Sequence, residues 1–312
     1  MDLEFICCPI CNGKLVKNNQ KLSCRSCRNN YPIINDIPIL LKQNTDKEKN
    51  PLVWDQIWKQ DSTKKRCKEL FKKIEIYLEF SKLLEEPLKK LNLDNMNILE
   101  LGCGGSPFFY YLQKKFKKSE IWGMDRSIDA LHLLKNNIND ITSSHIICGD
   151  LFNSPLKSEK FDIVCSFGFI EHFHNPKKAL EIHADFLKPG GLLICLIPNL
   201  YGIPGKILDF IGSDTITTIS IKRLHEWFND IGFEKNIVKP VGGLHPSLFL
   251  ESYTSSQEKI NEKIFYFLQE YLINPFFILL NTPLMFRVNS KMFSPFILSY
   301  VIKSKGKELT ND

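Results

Sequence analysis

An α/β fold built on a doubly wound, mostly parallel sheet is what this sequence predicts, and three observations carry the prediction. Between residues 51 and 245, short apolar runs alternate with stretches of helical periodicity, the rhythm of βαβ units. The first of these runs, Asn97–Leu101, passes directly into the loop Gly102-Cys103-Gly104-Gly105-Ser106. Ahead of it stand two Cys-x-x-Cys pairs, which set off a small module with its own source of stability.

Taken in order, the chain divides into four parts. Residues 1–41 form the cysteine module, and residues 42–50 a polar linker. Residues 51–245 form the α/β domain. Residues 246–312 are rich in Phe, Leu and Pro and end in a basic tail, so they read as a helical apolar C-terminal extension. No internal repeat is present.

Within the α/β part, Leu70, Phe71, Ile74, Tyr77, Leu78, Leu84, Leu88 and Leu91 recur at helical spacing before the first strand. Strand-like runs follow at 98–101, 121–124, 145–148, 161–166 and 192–197, with helical stretches near 108–116, 127–136 and 176–187. Runs bounded by turn residues and apolar throughout suit strands covered on both faces. A helix at 224–230 and a strand at 233–238 complete the series.

Composition limits the classes available. The 312 residues can bury a full α/β domain with additions. The net charge of +6 permits an anionic partner such as RNA or a membrane surface without demanding one. The N-terminus lacks a basic stretch followed by an apolar one, which argues for a cytoplasmic, reducing compartment. There, paired cysteines more often bind metal than form disulfides. No apolar run reaches the roughly 20 residues of a membrane-spanning helix.

Cys8-Pro9-Ile10-Cys11 and Cys24-Arg25-Ser26-Cys27 each form a tight turn that can aim two thiolates at one ion. Four thiolates suit a structural Zn2+. Some forty residues bury little core, so metal binding would supply much of the module's folding energy. Cys7 is a spare neighbour, and Cys148, Cys165 and Cys195 lie in apolar runs where a buried thiol is ordinary. With Tyr31-Pro32-Ile33-Ile34 and Asp36-Ile37-Pro38-Ile39-Leu40, the segment resembles zinc ribbons fused to, or partnered with, certain methyltransferases. Those ribbons usually carry a Gly before the Ile-Pro, where Asn35-Asp36 stand here.

In the loop, Gly102 and Gly104 can take positive φ and let a ligand approach the backbone. Asp125 closes the second strand and Asp150 the third, so three consecutive strand ends carry acids or glycines. Open α/β sheets bind ligands at such ends. Asp125 can accept hydrogen bonds from ribose hydroxyls, and Asp150 from an adenine amino group. The pattern lacks the last glycine of G-x-G-x-x-G, since Pro107 stands there, which argues against a nicotinamide dehydrogenase.

Glu100-x-Gly102-x-Gly104, Asp125, Gly149-Asp150, Phe161-Asp162-Ile163-Val164 and Leu187-Lys188-Pro189-Gly190-Gly191 together resemble the successive motifs of class I S-adenosylmethionine-dependent methyltransferases, of the type 11-like kind. The resemblance covers roughly residues 95–200. It implies a seven-stranded sheet whose last strand is antiparallel, and S-adenosylmethionine as cofactor. It assigns the methionine end to Glu100, Gly102 and Gly104, the ribose to Asp125, and the adenine to Asp150 and Leu151. Phe167, at the end of the fourth strand, joins them as a cofactor contact.

Methyl transfer from a sulfonium needs in-line positioning more than acid–base machinery, though an oxygen or amine acceptor can need a base. Similar enzymes carry a Glu-His pair after the fourth strand, here Glu171-His172. His172 is the candidate base, with His174 and Glu171 behind it. Trp54 and Trp58 either cover the cofactor or pack against the domain. Asn199 and Tyr201 are candidate substrate contacts. The C-terminal runs 264–286 and 292–302, followed by Lys303, Lys305 and Lys307, could lie on a membrane surface, cover the pocket or simply pack.

The sequence therefore predicts a methyltransferase acting on a small or lipid-linked metabolite, with oxygen as the expected acceptor atom and peripheral contact to the inner face of the membrane as one option. The alternative is a ribosomal or transfer RNA methyltransferase that recognises RNA through the ribbon. Arg25, Arg28 and Lys21 would contribute, together with the basic stretch from Lys64 to Lys73.

Overall fold

The computed structural model describes residues 2–42, 58–59, 74–89, 91, 94–138, 143–202, 217–241, 289–292, 294 and 296–305. They build one eleven-stranded sheet, not the seven strands expected. The excess comes from the N-terminal module, whose four strands extend the sheet at one edge. These are β1 (Leu15–Asn18), β2 (Lys21–Cys24), β3 (Asn30–Ile34) and β4 (Ile37–Leu40). They run as antiparallel neighbours. Asn35 and Asp36 both take positive φ between β3 and β4, at 49° and 58°. Asn and Asp tolerate that region, which is how this chain dispenses with the usual glycine.

The remaining strands are β5 (Asn97–Leu101), β6 (Glu120–Asp125), β7 (Ser144–Gly149), β8 (Phe161–Phe167), β9 (Leu187–Pro198), β10 (Phe233–Val241) and β11 (Phe296–Lys303). Across the sheet the order is β1-β2-β3-β4-β7-β6-β5-β8-β9-β11-β10. From β4 to β9 each neighbour pairs in parallel, and β11 runs antiparallel between β9 and β10.

β11 corrects the reading of the C-terminus. The described part of the expected helical extension is a strand inside the sheet. Ile297, Leu298 and Val301 are buried, and they divide between the two apolar cores. A run that is apolar at nearly every position suits a strand covered on both faces, and no membrane contact is needed to account for it. The run 264–286 lies outside the described residues, as do the basic stretch 64–73, Trp54 and most of the linker.

The helices start where capping residues place them. Ser106 caps the helix that follows β5: its hydroxyl accepts from Phe108 N, and Pro107 takes an early position, where its missing N–H costs nothing.

 Here α1 is Ile74–Leu88, ahead of β5. The successors are α2 (Pro107–Lys115), α3 (Ile128–Asn137), α4 (Pro176–Phe186) and α5 (Ile221–Ile231). Ser127, Asn175 and Ser220 cap α3, α4 and α5 through side-chain oxygens, and Gly232 ends α5 at φ 89°.

Two apolar cores result, one on each face of the sheet. One gathers α1, α2 and α3, through Leu84, Leu88, Phe109, Leu112, Leu131 and Leu134. The other gathers α4 and α5 together with the ribbon. The connection from β7 to β8, residues 150–160, contains no helix. A parallel sheet needs cover on both faces, and here the ribbon supplies it. Phe5 stacks on Trp122 with centroids 4.6 Å apart, and Ile6 is buried beside Leu156.

Candidate cofactor and metal sites

The four thiols of Cys8, Cys11, Cys24 and Cys27 lie within 4.8 Å of one another. Cys8 and Cys27 are 3.5 Å apart at sulfur, as are Cys11 and Cys24. Tetrahedral thiolate ligands at about 2.3 Å from Zn2+ stand close to these separations, so the donor set fits that ion. Ser26 N and Cys27 N point at Cys24 Sγ, and Asn29 Nδ2 donates to Cys27 Sγ at 3.1 Å. Asn29 holds the Cys27 thiol down to about 6, which favours the thiolate that a metal needs. The described cysteines are free thiols. Cys7 stands apart from the cluster, its N–H donating to Pro155 O at 2.7 Å.

At the other end of the ribbon, β4 lies along the end of β7, with Ile39 opposite Cys148 and Leu40 opposite Gly149. Lys157 N donates to Phe5 O at 2.9 Å. The ribbon thus grips both sides of the segment 149–157, which carries Asp150.

Glu100, Asp125 and Asp150 come together at the ends of three neighbouring strands, β5, β6 and β7. Glu100 is 1% exposed, and its Oε2 has no hydrogen-bond partner among the described residues. Burial pushes its carboxyl well above the usual range, with the nearby Asp125 adding to the shift and Ser106 opposing it. An ammonium group brought by a ligand would supply the missing donors and restore the carboxylate.

Asp125 accepts Gly104 N at 2.9 Å through Oδ2 and Ser127 N at 2.8 Å through Oδ1. It therefore shapes the loop and starts α3 while remaining able to take more hydrogen bonds. Gly102 and Gly104 have φ of 70° and 31°. A Cβ on Gly102 would stand 2.2 Å from the Phe169 ring, and one on Gly104 would stand 2.9 Å from the Trp58 indole. Trp58 thus lies over the glycine loop beside Asp125.

Asp150 is more heavily engaged. Its Oδ1 accepts Phe152 N at 2.9 Å and Asn153 N at 3.0 Å, and its Oδ2 pairs with Arg126. The Leu151 side chain is buried in the core, so this residue can offer a ligand only its backbone. Phe167 stacks on Phe108 with centroids 3.9 Å apart.

Glu171 and His172 follow β8 in a single 3-10 turn. Burial raises the Glu171 carboxyl to about 8 and lowers the His172 imidazole to about 4. Both are therefore uncharged near neutral pH, with 3.9 Å between Glu171 Oε1 and His172 Nε2. His174 is exposed. Asn199 is buried and donates its amide to Lys291 O and Ser294 O, so it anchors the approach to β11. Tyr201 is 60% exposed beyond it. Arg126 and Phe169 escaped the sequence reading. Arg126 directly follows the strand-end acid, and that position was the available signal.

Comparison with known proteins agrees with this geometry. Residues 99–195 match the family model of the methyltransferase domain, and residues 3–36 that of Trm112p-like proteins. The malonyl-[acyl-carrier protein] O-methyltransferase 2 of Ilyobacter polytropus is 35% identical over 99 residues, which cover 31% of this chain and 38% of that relative. The ubiquinone biosynthesis O-methyltransferase of Coxiella burnetii is 23% identical over 192 residues, covering 60% and 77%. A solved complex between the Haloferax volcanii Trm112 methyltransferase activator and a putative methyltransferase aligns with a TM-score of 0.52 at 16% identity, covering 80% of this chain and 97% of the matched one. That likeness concerns the fold alone. Residues 99–195 form an S-adenosylmethionine-dependent methyltransferase domain. A Trm112p-like module precedes it in the same chain.

Proposed function

We propose that this chain transfers the methyl group of S-adenosylmethionine to an oxygen of a small or lipid-linked metabolite. The observation that carries the reading is the joint placement of Glu100, Asp125 and Asp150 at three adjacent strand ends, with Glu100 Oε2 lacking a donor among the described residues. The two curated relatives named above are O-methyltransferases by name, which supports oxygen as the acceptor atom.

When bound, the cofactor supplies an electrophilic methyl group on a sulfonium. Glu100 holds the ammonium of its methionine end, Asp125 its ribose hydroxyls and Asp150 its adenine amino group. Gly102 and Gly104 leave room for close approach, and Trp58 closes over the loop. His172, neutral at working pH, accepts the proton that the acceptor oxygen gives up. The ribbon holds Zn2+ and acts as a built-in activator, gripping the segment that carries Asp150. The name of the Haloferax volcanii partner supports this role, as does the pairing of β4 with β7.

The test is incubation of the zinc-loaded protein with methyl-labelled S-adenosylmethionine and an extract of its own cells. Label in an organic-solvent fraction supports a lipid-linked acceptor, and label in small water-soluble metabolites supports the wider reading. Label in RNA overturns both and makes the ribbon a recognition module.

A further inference from the structure

Arg126 immediately follows Asp125 at the end of β6, and its guanidinium crosses to Asp150 beyond the end of β7. It bridges the two strand ends between which the cofactor's nucleoside would lie. The arrangement divides the Asp150 carboxylate. Oδ1 is committed to the backbone N–H groups of Phe152 and Asn153, while Oδ2 faces Arg126. A carboxylate oxygen has room for a second donor, so an adenine amino group can join Arg126 on Oδ2. Both side chains stay partly open, at 36% exposure for Arg126 and 16% for Asp150.

A lone carboxylate at this place would demand an amino group. It would repel a purine bearing a carbonyl at the same position, because two acceptors would face each other with no proton between them. Arg126 changes that demand. A guanidinium carries five N–H donors, and the Asp150 contact engages Nη1 alone. The remaining donors can serve a carbonyl oxygen brought up to the guanidinium.

We propose that Arg126 is a specificity-determining residue of the adenine end, relaxing the choice between a 6-amino and a 6-oxo purine by presenting donors next to the Asp150 acceptor. This rests on the reading of Asp150 as the adenine contact. The slot is thus a mixed donor–acceptor edge, able to take either purine.

The experiment is calorimetric titration of the zinc-loaded full chain with S-adenosylhomocysteine and with S-inosylhomocysteine, which differ at that purine position and in the N1 proton that accompanies the 6-oxo form, a difference common to every variant. In the unsubstituted protein the two should bind within about tenfold of each other. In Arg126→Met the inosyl compound should weaken by a further tenfold or more relative to the adenosyl one, and Arg126→Lys should recover part of the difference. A ratio of affinities that does not move in Arg126→Met overturns the proposal, whatever happens to absolute affinity. A purely structural role for the ion pair would weaken both ligands alike and leave that ratio in place. Failure of the unsubstituted protein to bind S-adenosylhomocysteine overturns the underlying cofactor reading as well. Thermal unfolding of each variant checks that the fold is kept.

Discussion

The ribbon strands β1–β4 and the strands β5–β9 belong to one sheet, yet they are held by different means. The strands of the methyltransferase domain are sandwiched between helices, or between helices and the ribbon, and residues such as Ile98, Leu99, Ile163 and Val164 are almost wholly buried. The ribbon strands are short, and Lys17, Asn18 and Lys21 are open to solvent. Four thiols of this module converge on one point, a donor set that fits a structural ion. The difference teaches that a small cysteine-rich element with little core of its own can be part of the cover of a conventional α/β core. Where residues 150–160 bring no helix, Phe5, Ile6 and Tyr31 take its place against Trp122 and its neighbours.

The largest way to break this comparison is to remove the ribbon. Deleting residues 1–42 would uncover Trp122, Met124, Ile147 and Leu156 together, and the remaining chain is expected to aggregate. Size-exclusion chromatography reads the outcome, and a soluble monomer with the native circular dichroism would mean that the core does not need this cover.

A smaller effect should come from Glu171, a buried carboxyl raised to about 8. Because its folded value is raised, the associated stability is complete at low pH and is lost as pH climbs from the unfolded value toward about 8. Glu171→Gln should therefore gain little at pH 5 and up to about 4 kcal/mol at pH 8. Urea unfolding at the two pH values checks the sign.

The next effect concerns chemistry alone. His172→Ala should lower kcat about 100-fold while leaving S-adenosylhomocysteine affinity in place. With the imidazole lowered to about 4, the native enzyme should show no loss of activity between pH 7 and pH 5 on account of this residue. Full turnover in the variant would remove His172 from the reaction.

The smallest effect belongs to the surface contact between the two regions. Lys135 pairs with Asp36 at 2.8 Å, where the Asp36 side chain is 94% exposed. Lys135→Ala should cost less than about 1 kcal/mol and should fade further in salt.

How much of this was legible in the sequence follows from range. Helix starts at Ser106, Ser127 and Asn175 are local, and so were readable from a few residues. The cysteine pairs and the acids closing β6 and β7 were readable for the same reason. Pairings between distant segments were not. Nothing in Ile37–Leu40 says that it will lie beside β7. Nothing in Phe296–Lys303 says that it will enter between β9 and β10, because residues 242–295 separate it from its nearest sheet neighbour in sequence. Its apolar run, taken alone, suits a strand or an extension equally well. The state of Asp150 was hidden too, since its engagement with Arg126 depends on two strand ends meeting.

If the ribbon and the cofactor site form one unit, removing the ion that the four thiols would hold must weaken cofactor binding. The direct measurement is S-adenosylhomocysteine affinity by calorimetry on zinc-loaded protein, on the same protein after chelation, and again after zinc is returned. Affinity should fall at least tenfold on chelation and recover with zinc. Unchanged affinity in protein shown by metal analysis to have lost its zinc would contradict the claim.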